Sequence, residues 1–189
     1  AAEAGAKAVA HLTPEEKSEI DGLIVATFTP DMATPSMAAE VAGRLGISGK
    51  VMTLDVNSAC SGFVYGLVLA NALMSSGFRR ILLIGSEKIS PMMDMEDRRT
   101  CVLFGDGAGA VVLEAVEGKG DSSDRGILTA HLRSDGAHKE KLYVDGGPST
   151  TGEVGKLRMK GREVFRHAVV NLAEVLGEVL DDAGMTPAD

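Results

Sequence analysis

Asp55-Val56-Asn57-Ser58-Ala59-Cys60-Ser61-Gly62 places a cysteine between two apolar segments. The segment before it, residues 50–56, reads as a buried strand, and the one after it, residues 63–74, reads as an apolar helix that stops near Gly77. A sulfur at a sharp strand-to-helix turn lies beside unpaired backbone N–H groups and the positive end of the helix dipole. Those features favour the nucleophilic thiolate. The small neighbours Ser58, Ala59, Ser61 and Gly62 let the backbone turn tightly and leave room for a substrate carbonyl. A lone cysteine is most often a small buried hydrophobe, but the strand, turn and helix around Cys60 make it a candidate nucleophile.

Other reactive residues form weaker patterns. Phe104-Gly105-Asp106-Gly107-Ala108-Gly109-Ala110 invites a nucleotide-loop reading. Its glycine spacing differs from the dinucleotide fingerprint, though, and a strand follows where that fingerprint needs a helix. Close backbone packing near a site is the better expectation. His11, His131, His138 and His167 lack metal-ligand spacing, and no metal site is expected. Asp94, Glu96, Asp97, Arg98 and Arg99 read either as a solvated loop or as a phosphate contact through Arg98 or Arg99. Cys60 and Cys101 form no C-x-x-C or resolving pair.

The elements that must position Cys60 alternate between helix and strand, which predicts an α/β class with a partly parallel, buried sheet. Residues 1–11 read as an Ala-rich helix and residues 13–16 as a polar turn. Residues 23–28 read as a strand. Thr34 and Pro35 read as the N-cap and first position of a helix that Gly46 closes. Residues 81–85 read as a buried strand and residues 86–99 as a long loop of the kind that often carries function. A strand follows the glycine-rich turn, and another is expected at residues 126–133, before the weakly structured stretch 134–155. Residues 159–183 read as an amphipathic helix with Phe165, Ala168, Val169, Leu172, Val175, Leu176, Val179 and Leu180 as its apolar stripe.

The 189 residues, 44% of them apolar, suffice to bury a core, and no run is long enough to span a bilayer. The net charge of −8 argues against a general nucleic-acid binder. Two cysteines make no disulfide framework and no signal peptide is visible, so a reducing, cytoplasmic location is expected.

Four blocks together resemble the 3-oxoacyl-[acyl-carrier-protein] synthase III family of the thiolase superfamily. They are Leu23-Ile24-Val25-Ala26-Thr27 with Thr34-Pro35-Ser36, then Asp55 through Phe63, then Asp97-Arg98 with Phe104 through Ala110, and then Met159-Lys160-Gly161-Arg162-Glu163-Val164-Phe165. Their order and spacing match along nearly the whole chain. The resemblance implies a thiolase-like fold of layered α-β-α-β-α type, with one half nearly complete in residues 1–115 and the second only begun in residues 116–189.

It also implies that Cys60 takes an acyl group from acyl-CoA, here a substrate, and that no cofactor is needed. A carbanion formed by decarboxylation of malonyl-acyl carrier protein would then attack the acyl-enzyme. Arg98 matches the family arginine that contacts coenzyme A, and Ile89, Phe104, Met159, Gly161 and Phe165 match positions around the acyl and pantetheine channel. Thr34 matches a position where many relatives carry a bulky aromatic contributed across a homodimer interface, which implies room for acyl chains longer than acetyl. The family's histidine and asparagine pair is expected downstream of the long helix, beyond Asp189, and none of the four histidines matches it. The chain is therefore expected to be an internal piece of a longer enzyme. The alternatives are a related condensing enzyme of specialised metabolism or a catalytically silent scaffold.

Overall fold

The computed structural model describes residues 1–47, 49–121 and 123–188. The chain divides into two units, residues 1–88 with 106–117 and residues 89–105 with 118–189.

In the first unit, α1 (Ala2–Ala8) and α2 (Pro14–Ser18) lead to β1 (Gly22–Ala26); then follow α3 (Met37–Arg44), β2 (Met52–Val56), a 3-10 turn (Ala59–Ser61), α4 (Gly62–Ser75), β3 (Arg80–Glu87) and β4 (Gly107–Glu114). The sheet order is β2-β1-β3-β4, with β1 parallel to both β2 and β3, and β4 antiparallel to β3. Side-chain alternation along the strands explains the layering. Leu23, Val25, Leu82 and Ile84 face α1 and α3, whereas Ile24, Ile81 and Leu83 face α4. The result is a three-layer α/β/α unit of the expected class, with a wholly buried β1 at its centre.

Small residues set how closely α4 lies on this sheet. Gly62, Gly66 and Ala70 recur every four residues and are buried. A Cβ on Gly66 would come within 2.5 Å of a Leu83 methyl, and one on Gly62 within 3.3 Å of Ala26 Cβ.

Several expectations need correction. Residues 13–16 do not form a plain turn: Thr13 and Glu16 make a capping box that starts α2, with Thr13 N donating to Glu16 Oε2 at 2.7 Å. Thr34 is not an N-cap; Ser36 caps α3 by accepting from Ala39 N at 3.1 Å. β2 is half-exposed rather than buried because it is an edge strand with one described neighbour. A Cβ on Gly105, Gly107 or Gly109 would meet nothing within 4 Å, so the expected close backbone packing is absent among the described residues.

The second unit holds the antiparallel pair β5 (Leu142–Val144) and β6 (Leu157–Met159), preceded by a 3-10 segment (Gly136–Lys141) and followed by α5 (Gly161–Ala183). Gly184 ends α5 in the left-handed conformation, φ 63°. Residues 126–133 form no strand, since no described segment pairs with them. Much of the apolar stripe on α5 is exposed: Phe165 is 71% and Leu172 69% accessible.

Candidate active site

The turn that carries Cys60 follows directly from these elements. β2 ends at Val56, a single 3-10 turn spans Ala59–Ser61, and α4 begins at Gly62. Ala59 is the one non-glycine residue at positive φ, 45°, among the described residues. Holding an L-residue there costs about 1 kcal/mol. The strain sits one residue before the nucleophile candidate, as expected at a sharp strand-to-helix turn. Cys60 is exposed and its thiol is free. Among the described residues no side-chain hydrogen bond caps the start of α4, whose first residue, Gly62, lies two positions after Cys60.

This turn lies at the carboxyl ends of three parallel strands. From β1 the chain crosses to β2 on one side and then to β3 on the other, so the order reverses at β1. Open α/β sheets place ligands outside the strand carboxyl ends at such a reversal. Two carboxylates that the sequence reading left without a role organise this end. Asp55 accepts from the backbone N–H groups of Met37 at 2.7 Å and Ala38 at 2.8 Å, so β2 itself holds the start of α3. Glu87, the last residue of β3, accepts from Phe28 N at 3.0 Å, Thr29 Oγ1 at 2.5 Å and Thr27 Oγ1 at 3.3 Å. No local pattern in the sequence marks Glu87, whose partners lie about sixty residues away. Thr34 lies exposed in the loop between β1 and α3.

The remaining named residues belong to the second unit. Ile89 is buried, 8% accessible; Phe104 and Met159 are half-buried; Arg98, Gly161 and Phe165 are exposed. Met159 and Gly161 line a cavity of about 700 Å³ together with Arg99, Thr100, Lys160 and Arg162. Two arginines line this cavity, Arg99 and Arg162, whereas Arg98 does not. Asp97 shapes the adjoining loop: its carboxylate accepts from Thr100 Oγ1 at 2.7 Å and Arg99 N at 3.2 Å. The Thr100 hydroxyl, together with Arg99, holds the Asp97 carboxyl below its usual range. Lys156 Nζ donates to the carbonyls of Pro91 at 3.1 Å and Met93 at 3.0 Å, tying the loop to β6. Arg158 joins Asp94 at 3.1 Å to Asp145 at 2.7 Å and reinforces that tie.

The histidines go elsewhere. His131 sits between Asp182 at 2.6 Å and Glu178 at 3.3 Å, and His167 accepts from Lys141 Nζ at 2.5 Å, with the His138 ring 4.3 Å away. Among the described residues no group of three or more His, Cys, Asp or Glu side chains could hold a metal ion. No helix among them is long and apolar enough to cross a membrane.

The sequence profile described as 3-Oxoacyl-[acyl-carrier-protein (ACP)] synthase III matches residues 54–136. The chain is 54% identical over 191 residues to the beta-ketoacyl-[acyl-carrier-protein] synthase III of Allorhizobium ampelinum, covering 100% of this chain and 58% of that protein. It is 56% identical over 192 residues to the enzyme of the same name from Erythrobacter litoralis, again with 100% and 58% coverage. Among solved structures, the 3-oxoacyl-[acyl-carrier-protein] synthase III of Aquifex aeolicus superimposes with a TM-score of 0.80 at 43% identity, covering 91% of this chain and 52% of that one. The Thermus thermophilus enzyme gives 0.83 at 36% identity, covering 100% and 59%. The chain thus spans a little over half the length of the relatives it matches.

Proposed function

Since the chain belongs to the 3-oxoacyl-[acyl-carrier-protein] synthase III family, we propose that it carries the nucleophile of an acyltransferase that starts acyl-chain synthesis. The Cys60 sulfur attacks the thioester carbonyl of an acyl-CoA; the new Cys60–acyl bond forms as the bond to the coenzyme A sulfur breaks, and coenzyme A leaves as its thiol. Malonyl-acyl carrier protein then loses CO₂, and the resulting carbanion attacks the acyl-Cys60 carbonyl. The 3-oxoacyl product departs on the carrier, and the Cys60 thiol is regenerated by a proton. A thioester suits a soft sulfur nucleophile, and its acyl chain needs an apolar sleeve.

The observation that carries this reading is an exposed, unpaired Cys60 on a strained turn at the carboxyl ends of parallel strands, in front of an uncapped helix start. Arg98 contacts coenzyme A. Ile89, Phe104, Met159, Gly161 and Phe165 surround the acyl and pantetheine path, and Thr34 bounds the far end of the acyl pocket. The exposure of Thr34 is compatible with a contribution across a homodimer interface. The enzyme works in the cytoplasm and needs no resident cofactor.

The test is a condensation assay on the protein expressed from its complete reading frame. Acyl-CoA and malonyl-acyl carrier protein should yield CO₂ and a 3-oxoacyl carrier product, and Cys60→Ala should abolish product. Full activity in Cys60→Ala would overturn the assignment. An acyl-CoA length series in the same assay reads the Thr34 proposal, which a sharp acetyl preference would contradict.

A further inference from the structure

The first unit contains a polar network at the strand ends flanking the Cys60 turn that the proposed chemistry does not use. At its centre is Glu87, half-buried at the end of β3. Its Oε1 accepts from Phe28 N at 3.0 Å, and its Oε2 accepts from the hydroxyls of Thr29 at 2.5 Å and Thr27 at 3.3 Å. Thr29 Oγ1 in turn accepts from Lys88 N at 2.8 Å, and Thr27 Oγ1 accepts from Thr29 N at 3.0 Å. These donors are all neutral, and among the described residues no Lys or Arg side chain pairs with Glu87. A single carboxylate at the end of β3 thus accepts from three consecutive residues after β1 and fixes them against β3.

The network reaches the nucleophile turn from both sides. Thr27 is buried, and its N–H donates to the carbonyl of Val56 at 3.0 Å, four residues before Cys60. On the other side, Gly62 packs on Ala26, the residue before Thr27, and Phe63 packs on Gly85, two residues before Glu87 on the same face of β3. The entry and exit of the Cys60 turn therefore rest on strand ends that Glu87 cross-links.

We propose that Glu87 is a positioning residue for Cys60, holding residues 27–29 and through them the turn that aims the sulfur at the thioester carbonyl. This rests on the reading of Cys60 as the acylated nucleophile. Glu87 touches no reacting atom; it acts by restricting where the sulfur sits. Displacing a reacting group by about 1 Å through a remote change costs up to about a hundredfold in rate.

The test uses the protein expressed from its complete reading frame, mixed rapidly with acyl-CoA in the absence of malonyl carrier. The burst of free coenzyme A counts competent sites, and its rate constant gives acylation per site. Glu87→Gln and Thr29→Ala should lower the rate per competent site by about tenfold or more, with KM for acyl-CoA within about twofold. Thr29→Ser, which keeps the hydroxyl, should recover to within about twofold of the unaltered protein. If the variants lose burst amplitude or thermal stability while the rate per remaining site is unchanged, Glu87 is merely structural and the inference fails. If the unaltered protein and both variants acylate equally, it fails again, with the functional reading intact. Absence of a burst from the unaltered protein would instead overturn the functional reading itself.

Discussion

Cys60 was legible at the level of single residues because its context is local: an apolar run, small turn residues and a second apolar run predict a strand, a sharp turn and a helix, and those elements form. Glu87 was not legible, because its three partners lie about sixty residues away and only the β1–β3 pairing brings them together. The same limit applies to His167. It reads in sequence as a mid-helix histidine, yet it meets Lys141 and His138 across the second unit. Burial first, and then the Lys141 and His138 charges, push its imidazole below the ordinary value of 6.5. Just below pH 6.5 the unfolded chain therefore binds more protons than the folded one, and stability falls as pH drops through that window. Thermal melts between about pH 7.5 and 5.5 should show a smaller loss on acidification for His167→Gln than for the unaltered protein. An identical loss in both would remove His167 from the acid response.

At the scale of elements, apolar runs identified α4 and the parallel strands and helical periodicity identified α5, while capping depended on residues that spacing alone misassigned. Thr34-Pro35 resembles a helix start, but α3 begins two residues later, at Met37. Ser36 satisfies Ala39 N, and Asp55 satisfies the N–H groups of Met37 and Ala38 from the neighbouring strand. A cap supplied across eighteen residues leaves no short-range signature. Asp55→Ala should destabilise the protein by about 1–3 kcal/mol, since it frees two helix-start donors from an ionised acceptor. Ser36→Ala should cost about 1 kcal/mol. Denaturant titration of both variants checks the order, and a larger loss for Ser36→Ala would contradict it. The absent strand at residues 126–133 shows the converse: apolar content supports a strand only where a partner ladder exists.

At the scale of the whole molecule, the chain presents apolar surface that its own residues do not cover. Phe165, Val169, Leu172 and Leu176 lie along α5 at intervals of three and four residues, and each is more than half exposed. The stripe is legible from its helical period, but nothing local shows what covers it. Surface of this kind drives association. Expressed by itself, this 189-residue segment should sediment as oligomers at micromolar concentrations, and Leu172→Glu with Leu176→Glu should shift it towards monomer. A monodisperse monomer of the unaltered segment would contradict that expectation. The α/β/α layering of the first unit presents one thiol at the carboxyl ends of its parallel strands.

The most direct test of that claim is mass spectrometry of the protein from its complete reading frame after exposure to acyl-CoA alone. The account predicts an acyl mass added to the tryptic peptide of residues 51–79, lost on Cys60→Ala and discharged by malonyl-acyl carrier protein. An unmodified peptide, or an acyl group found instead on Cys101, would contradict it.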